Sequence, residues 1–507
     1  MWHDLVIAYV QALQLPNLLC IIGGSLLGIM VGAFPALDTA VAAALLVPLT
    51  FGMTSTQAIL MLTAVYCAGV YAGQIPAILF RIPGSTEAVM TTLDGYELTK
   101  KGRADEALGI GLTASVLGGI FGTLMLTFAT PPLSRIALQF GPAEYFALGI
   151  FGLSALSGVS GGSVIKGLTC GLIGLLLATV GIDAITGMAR FTFGSKVLLG
   201  GISFIPAVIG LFAGAEVFKQ VALGGPISES GGDDIISRQK IRIKLPSLSQ
   251  LIPLKWTLLK SGFIGSLIGM LPGVGATTAA IVGYGQAARS SKHPETFGKG
   301  DPEGIAAAEM ANNAAAPAAM IPLLSLGIPG SAITAIILGA FMLHGLRPGP
   351  LFMMQQKDLA FIIFAGVLLS QLVFFAAAFA AVIPFIKLRS LPRPLLIVFI
   401  LSFAIVGTAA MGGPSAMPTM VILGVFGYIL ERCNFPLAPV VFGLVLGPII
   451  EKSLRRALMI AQYDIIVVLA RPITLALLLG AVFFVLIPLL RGMSKKGRGQ
   501  EMTVAGR

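Results

Sequence analysis

Charge is what this sequence has least of. Only 11% of its 507 residues are Asp, Glu, Lys or Arg, where a soluble domain carries about a quarter. So little polar surface does not cover a water-soluble globule of this length, and that class is excluded. Histidine is scarce, at 3 residues. No Ser-His-Asp or metal-ligand constellation stands out, so an enzyme is not indicated. Cys20, Cys67, Cys170 and Cys433 are scattered through apolar stretches with no Cys-x-x-Cys pair. They read as small core residues, not as a metal site or disulfide framework. The glycine-rich "GMLPGVGATTAAIVGYG" (269–285) lacks a Gly-Lys-Ser/Thr ending, so nucleotide hydrolysis is unsupported. The start, "MWHDLVIAYVQAL", lacks a basic region and a small-x-small site, so no cleavable signal peptide is expected.

What is present is oil. Hydrophobic residues make up 56% of the chain and the mean hydropathy is +0.94. The apolar runs are long and continuous, not ten-residue alternations, so helices rather than a β-barrel are expected. At about 20 residues per crossing, the length accommodates about 10–13 spans of an all-α polytopic membrane protein. The expected segments are 18–34, 36–52, 57–80, 106–130, 143–159, 163–183, 197–220, 258–284, 358–386, 394–411, 415–430, 436–450 and 471–491. The net charge of +11 sits in loops and the C-terminal tail; positive-inside placement accounts for it, and no nucleic-acid partner is expected. The expected organisation is an interfacial segment over 1–17, a first half over 18–223, a cytoplasmic linker over 224–257, a second half over 258–491 and a basic tail over 492–507.

The two halves resemble each other. "GIMVGAFPALDTAVAAALL" (28–46) and "GSLIGMLPGVGATTAAIVG" (265–283) both read G-x-x-x-G-x-x-P, then small and hydroxyl residues. Further on, "YAGQIPAILFRIPGSTEAVMTTLDGYEL" (71–98) parallels "PAAMIPLLSLGIPGSAITAIILGAFMLHGL" (317–346). The pieces recur in the same order, which predicts an internal duplication. Seven expected spans between Pro35 and Pro272 make the repeats inverted in the membrane.

Pro-Gly ends helices, and at membrane depth the freed backbone groups must be satisfied by protein, water or ligand. Two Pro-Gly-Ser breaks in matching positions therefore predict re-entrant hairpins facing a polar cavity, the arrangement of a transporter site. The candidate substrate-binding residues are Pro83, Gly84, Ser85, Thr86, Gly273, Gly275, Thr277, Thr278, Gly330, Ser331 and Thr334. Helix N-termini at such tips offer amides to an anion. Asp38, Thr39, Asn312 and Asn313 are candidate cation ligands; Asp38 and Thr39 serve equally as a helix cap. Glu309 shares a helical face with Asn312 and Asn313 in "EGIAAAEMANNAAAPAAMIPLL" (303–324), either lining a cavity or lying at the interface. Glu87 and Asp94 flank the first hairpin as a proton or sodium site or as a wet loop end. His344 and Arg347 follow the second, where interfacial anchoring is the simpler reading. The many G-x-x-x-G steps read as close helix packing.

The blocks "DGY" (94–96), "FGKG-x-x-EG" (297–304), "E-x-ANNA" (309–314) and "GIPGS" (327–331) resemble the large membrane subunit of the bacterial tripartite tricarboxylate transporters, over roughly 18–490. The resemblance implies a multi-pass inner-membrane secondary transporter without a cofactor. It implies a small membrane subunit and a periplasmic solute-binding protein as partners, carboxylate substrates, and coupling to sodium or protons. Fold analogy adds a transport domain moving against a scaffold. An anion channel or a non-transporting scaffold subunit are the rival expectations. The first tip departs from the family: Arg81 and Ile82 in "LFRIPGST" (79–86) stand where relatives carry Asn-Thr in "LLNTPGTP". That either alters ion coordination there or sets a cation beside the substrate carboxylate.

Overall fold

A computed structural model describes residues 2–34, 37–159, 163–223, 242–388 and 393–487. Pro35, the 224–241 part of the expected linker with its Arg238 and Lys240, and the 492–507 tail lie outside the described residues. The described residues are mainly helical. Among the described residues, 8 helices are long and apolar enough to cross a membrane, and shorter apolar helices occupy Thr39–Gly52, Val164–Ala178, Ala332–Leu343 and Pro472–Ile487. The strands are two residues each, Gly181–Ile182 paired antiparallel with Ala189–Arg190. The chain is an all-α polytopic membrane protein.

Two compact units form, Met1–Leu138 with Ser203–Tyr428, and Gln139–Ile202 with Ile429–Arg507. In the smaller unit, the Val164–Ala178 and Ala438–Ile460 helices cross at glycines: a Cβ on Gly174 would lie 2.1 Å from the Val440 carbonyl oxygen, and one on Gly443 2.3 Å from that of Gly171. Ion pairs finish this unit. Arg455 reaches Asp183 at 2.8 Å, and Arg190 reaches Glu451 at 2.6 Å.

In the larger unit, small residues again set the helix spacing. Leu15–Gly32 lies on Ser55–Ala72 so closely that a Cβ on Gly28 or Gly32 would come within 2.6 and 2.4 Å of the Val65 and Gly69 carbonyl oxygens. Leu248–Met270 lies on Pro302–Ala318 in the same way, with Gly265 and Gly269 facing the Ala311 and Ala315 oxygens at 2.2 and 2.5 Å. The G-x-x-x-G steps are packing devices, since only hydrogen in place of Cβ permits these approaches.

Three stretches differ from the expected helix boundaries. The span drawn over 258–284 is not one helix: Leu248–Met270 stops and Gly275–Ser290 starts afresh. Pro272 removes a donor, and Gly273 and Gly275 take φ of 83° and 73°, a left-handed turn that an L side chain resists. Conversely, Pro302–Ala318 was absent from the expected spans, yet every residue from Gly304 to Ala318 is buried. Its alanines and polar residues lower its hydropathy, but they suit a helix surrounded by other helices, not lipid. The end of the expected 224–257 linker is also helical from Leu248, started by a Ser247–Gln250 capping box. The N-terminal segment forms a helix, Trp2–Ala12, burying Leu5, Ala8 and Ala12 on one side.

Candidate functional site

The two Pro-Gly-Ser stretches have one local structure. Ser55–Ala72 passes through Gly73 into the short Gln74–Phe80 helix; Pro302–Ala318 passes through Ala319 into Met320–Leu326. Each short helix is closed by a left-handed residue, Arg81 at φ 61° and Gly327 at φ 74°. The chain then folds back beneath it, with the Ile82 amide donating to Pro76 O at 3.4 Å and the Ile328 amide to Pro322 O at 3.3 Å. The turn glycines touch backbone. A Cβ on Gly84 would lie 2.2 Å from the Gly32 oxygen, and one on Gly330 2.5 Å from the Ala319 oxygen. Neither tip is therefore an open surface loop; each is wedged against a helix.

The helix breaks meet the tips. The Gly273 amide donates to the Gly330 carbonyl at 3.1 Å, joining the break before Gly275–Ser290 to the second tip. Thr277 Oγ1 donates to Thr86 Oγ1 at 3.2 Å, joining the first turn of the same helix to the first tip. Ser331 begins the Ala332–Leu343 helix with a capping box to Thr334, and its hydroxyl also meets Tyr66 Oη at 3.2 Å. On the other side, Asn312 Nδ2 donates to the Glu87 carbonyl at 3.3 Å. Each long buried helix thus reaches the opposite tip with one polar side chain, Tyr66 to the second and Asn312 to the first.

The remaining candidates divide. Asp38 caps the Thr39–Leu46 helix, accepting from the Ala40 amide at 2.9 Å; its carboxylate also lies beside the Thr86 backbone and within electrostatic reach of Glu87. Cap and tip contact therefore coincide there. Thr39 is buried with its hydroxyl unpartnered and its side chain against Gly69. Ser85 is buried against Gly73, whereas Pro83 is only half-buried. Thr278 donates to Val274 O within its own helix. Asn313 donates to the Glu309 carbonyl at 3.0 Å and to Asn312 Oδ1 at 2.6 Å.

Asp94 has a different task. Its carboxylate takes the Tyr284 hydroxyl and the Gly300 and Asp301 amides, each at 2.8 Å. It clamps the "FGKGDPEG" loop (297–304) to the Thr91–Lys100 helix, and a Cβ on Gly304 would lie 2.2 Å from it. Among the two readings for this acid, the wet loop end fails because Asp94 is fully buried. His344 lies past the second hairpin helix, with Nε2 3.3 Å from Thr50 Oγ1.

Sequence reasoning missed Tyr66. The signal was available: aligning "LFRIPGS" with "SLGIPGS" puts Tyr66 opposite Asn312. It also missed Thr91, Ser115 and Gln74, whose partner is Glu309 or a neighbour of it. They lie in unremarkable helical sequence and carry no motif.

Comparison with known proteins agrees with this architecture. The sequence pattern of the tripartite tricarboxylate transporter TctA family matches residues 18–442. The chain is 35% identical over 497 residues, 97% of its own length and 98% of the relative's, to an Agrobacterium vitis protein described as "Uncharacterized 52.8 kDa protein in TAR-I ttuC' 3'region". It is 37% identical over 231 residues to a second from the same organism, described as "Uncharacterized protein in TAR-II ttuC' 3'region", covering 45% of this chain and 96% of that one. No solved structure matches the chain.

Proposed function

Because the chain belongs to the tripartite tricarboxylate transporter TctA family, and so is a component of a tricarboxylate transporter, we propose that it is the subunit through which carboxylates cross the bacterial inner membrane. In this reading a sodium or proton gradient drives import by alternating access. A periplasmic solute-binding protein delivers the substrate, and a small membrane subunit completes the assembly. The site lies where the Pro83–Thr86 and Pro329–Ser331 tips meet the helix break at Gly273–Thr278. Asp38, Thr39, Asn312 and Asn313 serve the coupling cation.

The observation that carries the proposal is the pairing of each tip with the break, Thr277 on Thr86 and Gly273 on Gly330. Irregular backbone inside a hydrophobic chain is stable only where protein or a polar cavity satisfies it. Here it brings first-turn amides and hydroxyls to one place, suited to carboxylate oxygens. The correspondence of the two hairpins supports the inverted duplication, whose two breaks form one midplane site.

Co-reconstitution with the partner subunits tests this. With an imposed sodium or proton gradient and the membrane potential clamped, proteoliposomes are expected to accumulate labelled citrate or another carboxylate above the outside concentration. Ser331→Ala and Asn312→Ala, correctly folded, are expected to lose most of that uptake. Equilibration without accumulation identifies an anion channel; unchanged uptake in both variants removes the site.

A further inference from the structure

Glu309 sits on the buried Pro302–Ala318 helix with none of its surface accessible. Thr91 Oγ1 donates to one carboxylate oxygen; Ser115 Oγ donates to the other at 3.1 Å. Asn312 and Asn313 direct their side-chain amides to that second oxygen at 3.4 and 3.3 Å. Ser115 is in turn held by Gln74 Nε2 at 3.0 Å. Thr91, Ser115, Asn312 and Gln74 are as fully buried as Glu309, and Asn313 is 2% exposed. Every one of these partners is neutral.

A carboxylate so placed is costly. Burying an isolated ionised carboxylate without an opposite charge is strongly unfavourable, and hydrogen bonds alone offset only part of it. An intramembrane acid surrounded by hydroxyls and carboxamides has the donor set of a hard monovalent cation: oxygens of mixed charge and no thiol or imidazole. Among the described residues no group of three or more His, Cys, Asp or Glu assembles to hold a metal ion, which fits a weakly charged oxygen cage better than a divalent or transition-metal site. Gln74 Oε1, on the residue that holds Ser115, is buried without any hydrogen-bond partner and lies against Gly111.

The two halves differ at this spot. Aligned on their Pro-Gly-Ser tips, Glu309, Asn312 and Asn313 correspond to Thr63, Tyr66 and Cys67, and Thr63 spends its hydroxyl on the Leu60 carbonyl of its own helix. Among the described residues, the carboxylate at the centre of the cage therefore has no counterpart in the first half, which instead supplies the Thr91 and Ser115 hydroxyls, although the tips exist twice.

We infer that Glu309, Thr91, Ser115 and the side-chain oxygens of Asn312 and Asn313 form a sodium site. The carboxylate supplies the balancing charge, the two hydroxyls turn their lone pairs inward, and the carboxamides present oxygen in place of nitrogen. Because Thr91 opens the helix that follows the first tip while Glu309 lies on Pro302–Ala318, an ion held by both ties that helix to the segment after the first tip. The inference deepens the transport reading and rests on it for the ion's role in coupling, but not for its binding.

Equilibrium binding of radioactive sodium to the purified full chain in nanodiscs, with no carboxylate present and choline balancing ionic strength, tests it. Saturable binding is expected in the unaltered chain. Losing an outer partner of a metal ligand costs about 10–100-fold in affinity, so Glu309→Gln is expected to weaken sodium binding at least about tenfold. Thr91→Val and Ser115→Ala are expected to weaken it several-fold, with Thr169→Ala, on an exposed helix face, as the unaffected control. Melting curves accompany each variant. Should Glu309→Gln fail to fold, the two hydroxyl variants carry the test. Sodium affinity unchanged in Glu309→Gln, or in both hydroxyl variants, overturns the site, as does an unaltered chain that binds no sodium. Uptake by the unaltered chain, measured in parallel, separates the two readings: sodium binding that depends on Glu309 in a chain that accumulates no carboxylate sinks transport and leaves the site, whereas accumulation with sodium binding indifferent to Glu309 does the reverse.

Discussion

The two hairpin tips share a backbone and differ in what they do with it. The second is buried throughout Ile328–Ser331 and is closed by Gly327, which adopts its left-handed conformation without a Cβ penalty. The first is closed by Arg81 in the same conformation and leaves Arg81, Ile82 and Thr86 uncovered. The long helices repeat this contrast, since Tyr66 serves the second tip with a single hydroxyl while Asn312 serves the first from within a polar cluster. A similar backbone thus carries one enclosed tip and one partly exposed tip. Sequence chemistry, not fold, separates their roles.

The largest effects should fall where the tips are alike. Gly84→Ala and Gly330→Ala each drive a Cβ to within 2.2 and 2.5 Å of a backbone oxygen. Backbone cannot move aside as a flexible side chain can, so each should cost about 1–3 kcal/mol or more and abolish uptake. Melting temperature and transport measured together check this; tolerance at one tip alone breaks the equivalence.

Next come the two reaching side chains. Asn312→Ala strips hydrogen bonds from the Glu87 carbonyl and from Glu309 in a fully buried setting, at about 1–3 kcal/mol. Tyr66→Phe deletes one hydroxyl whose partner, Ser331 Oγ, retains Thr334, at about 1 kcal/mol. Chemical denaturation should rank them in that order, and the reverse ranking would move the polar centre to the second tip.

The smallest effect is at the closing residue. Arg81→Gly removes a left-handed penalty of about 1 kcal/mol and should stabilise the chain, while Gly327→Ala should destabilise it by a similar amount. If the Arg81 guanidinium contacts substrate, Arg81→Gly also raises KM while the melting temperature still rises. A KM unchanged in that variant confines Arg81 to shape.

Much of this was legible in the sequence because proline and glycine act locally. Ile-Pro-Gly-Ser announced both tips, and Gly-x-x-x-Gly announced the two close helix crossings of the larger unit described above, since neither depends on distant partners. The broken 258–284 segment was misread as continuous although Pro272 and Gly273 lie within it, because a window average of hydropathy hides a two-residue turn. The Pro302–Ala318 helix hid for the opposite reason: a helix enclosed by other helices need not be oily, so its alanines and its Glu and Asn residues read as an anomaly. Tyr66 shows only when the two tips are aligned; Thr91 and Ser115 join the polar cluster only through contacts with Glu309, some two hundred positions away, and no local pattern encodes that. The same holds for Asp94, whose grip on the Gly300 and Asp301 amides spans the two halves.

The central claim is that two tips, one partly exposed and one enclosed, contribute to one substrate site. Single cysteines at Thr86 and Ala332, in a chain freed of Cys20, Cys67, Cys170 and Cys433, test it through their rates of reaction with a small thiol reagent, with and without the transported carboxylate. Substrate is expected to slow labelling at both positions over the same concentration range. Protection at one position with the other unaffected at saturating substrate would contradict a shared site.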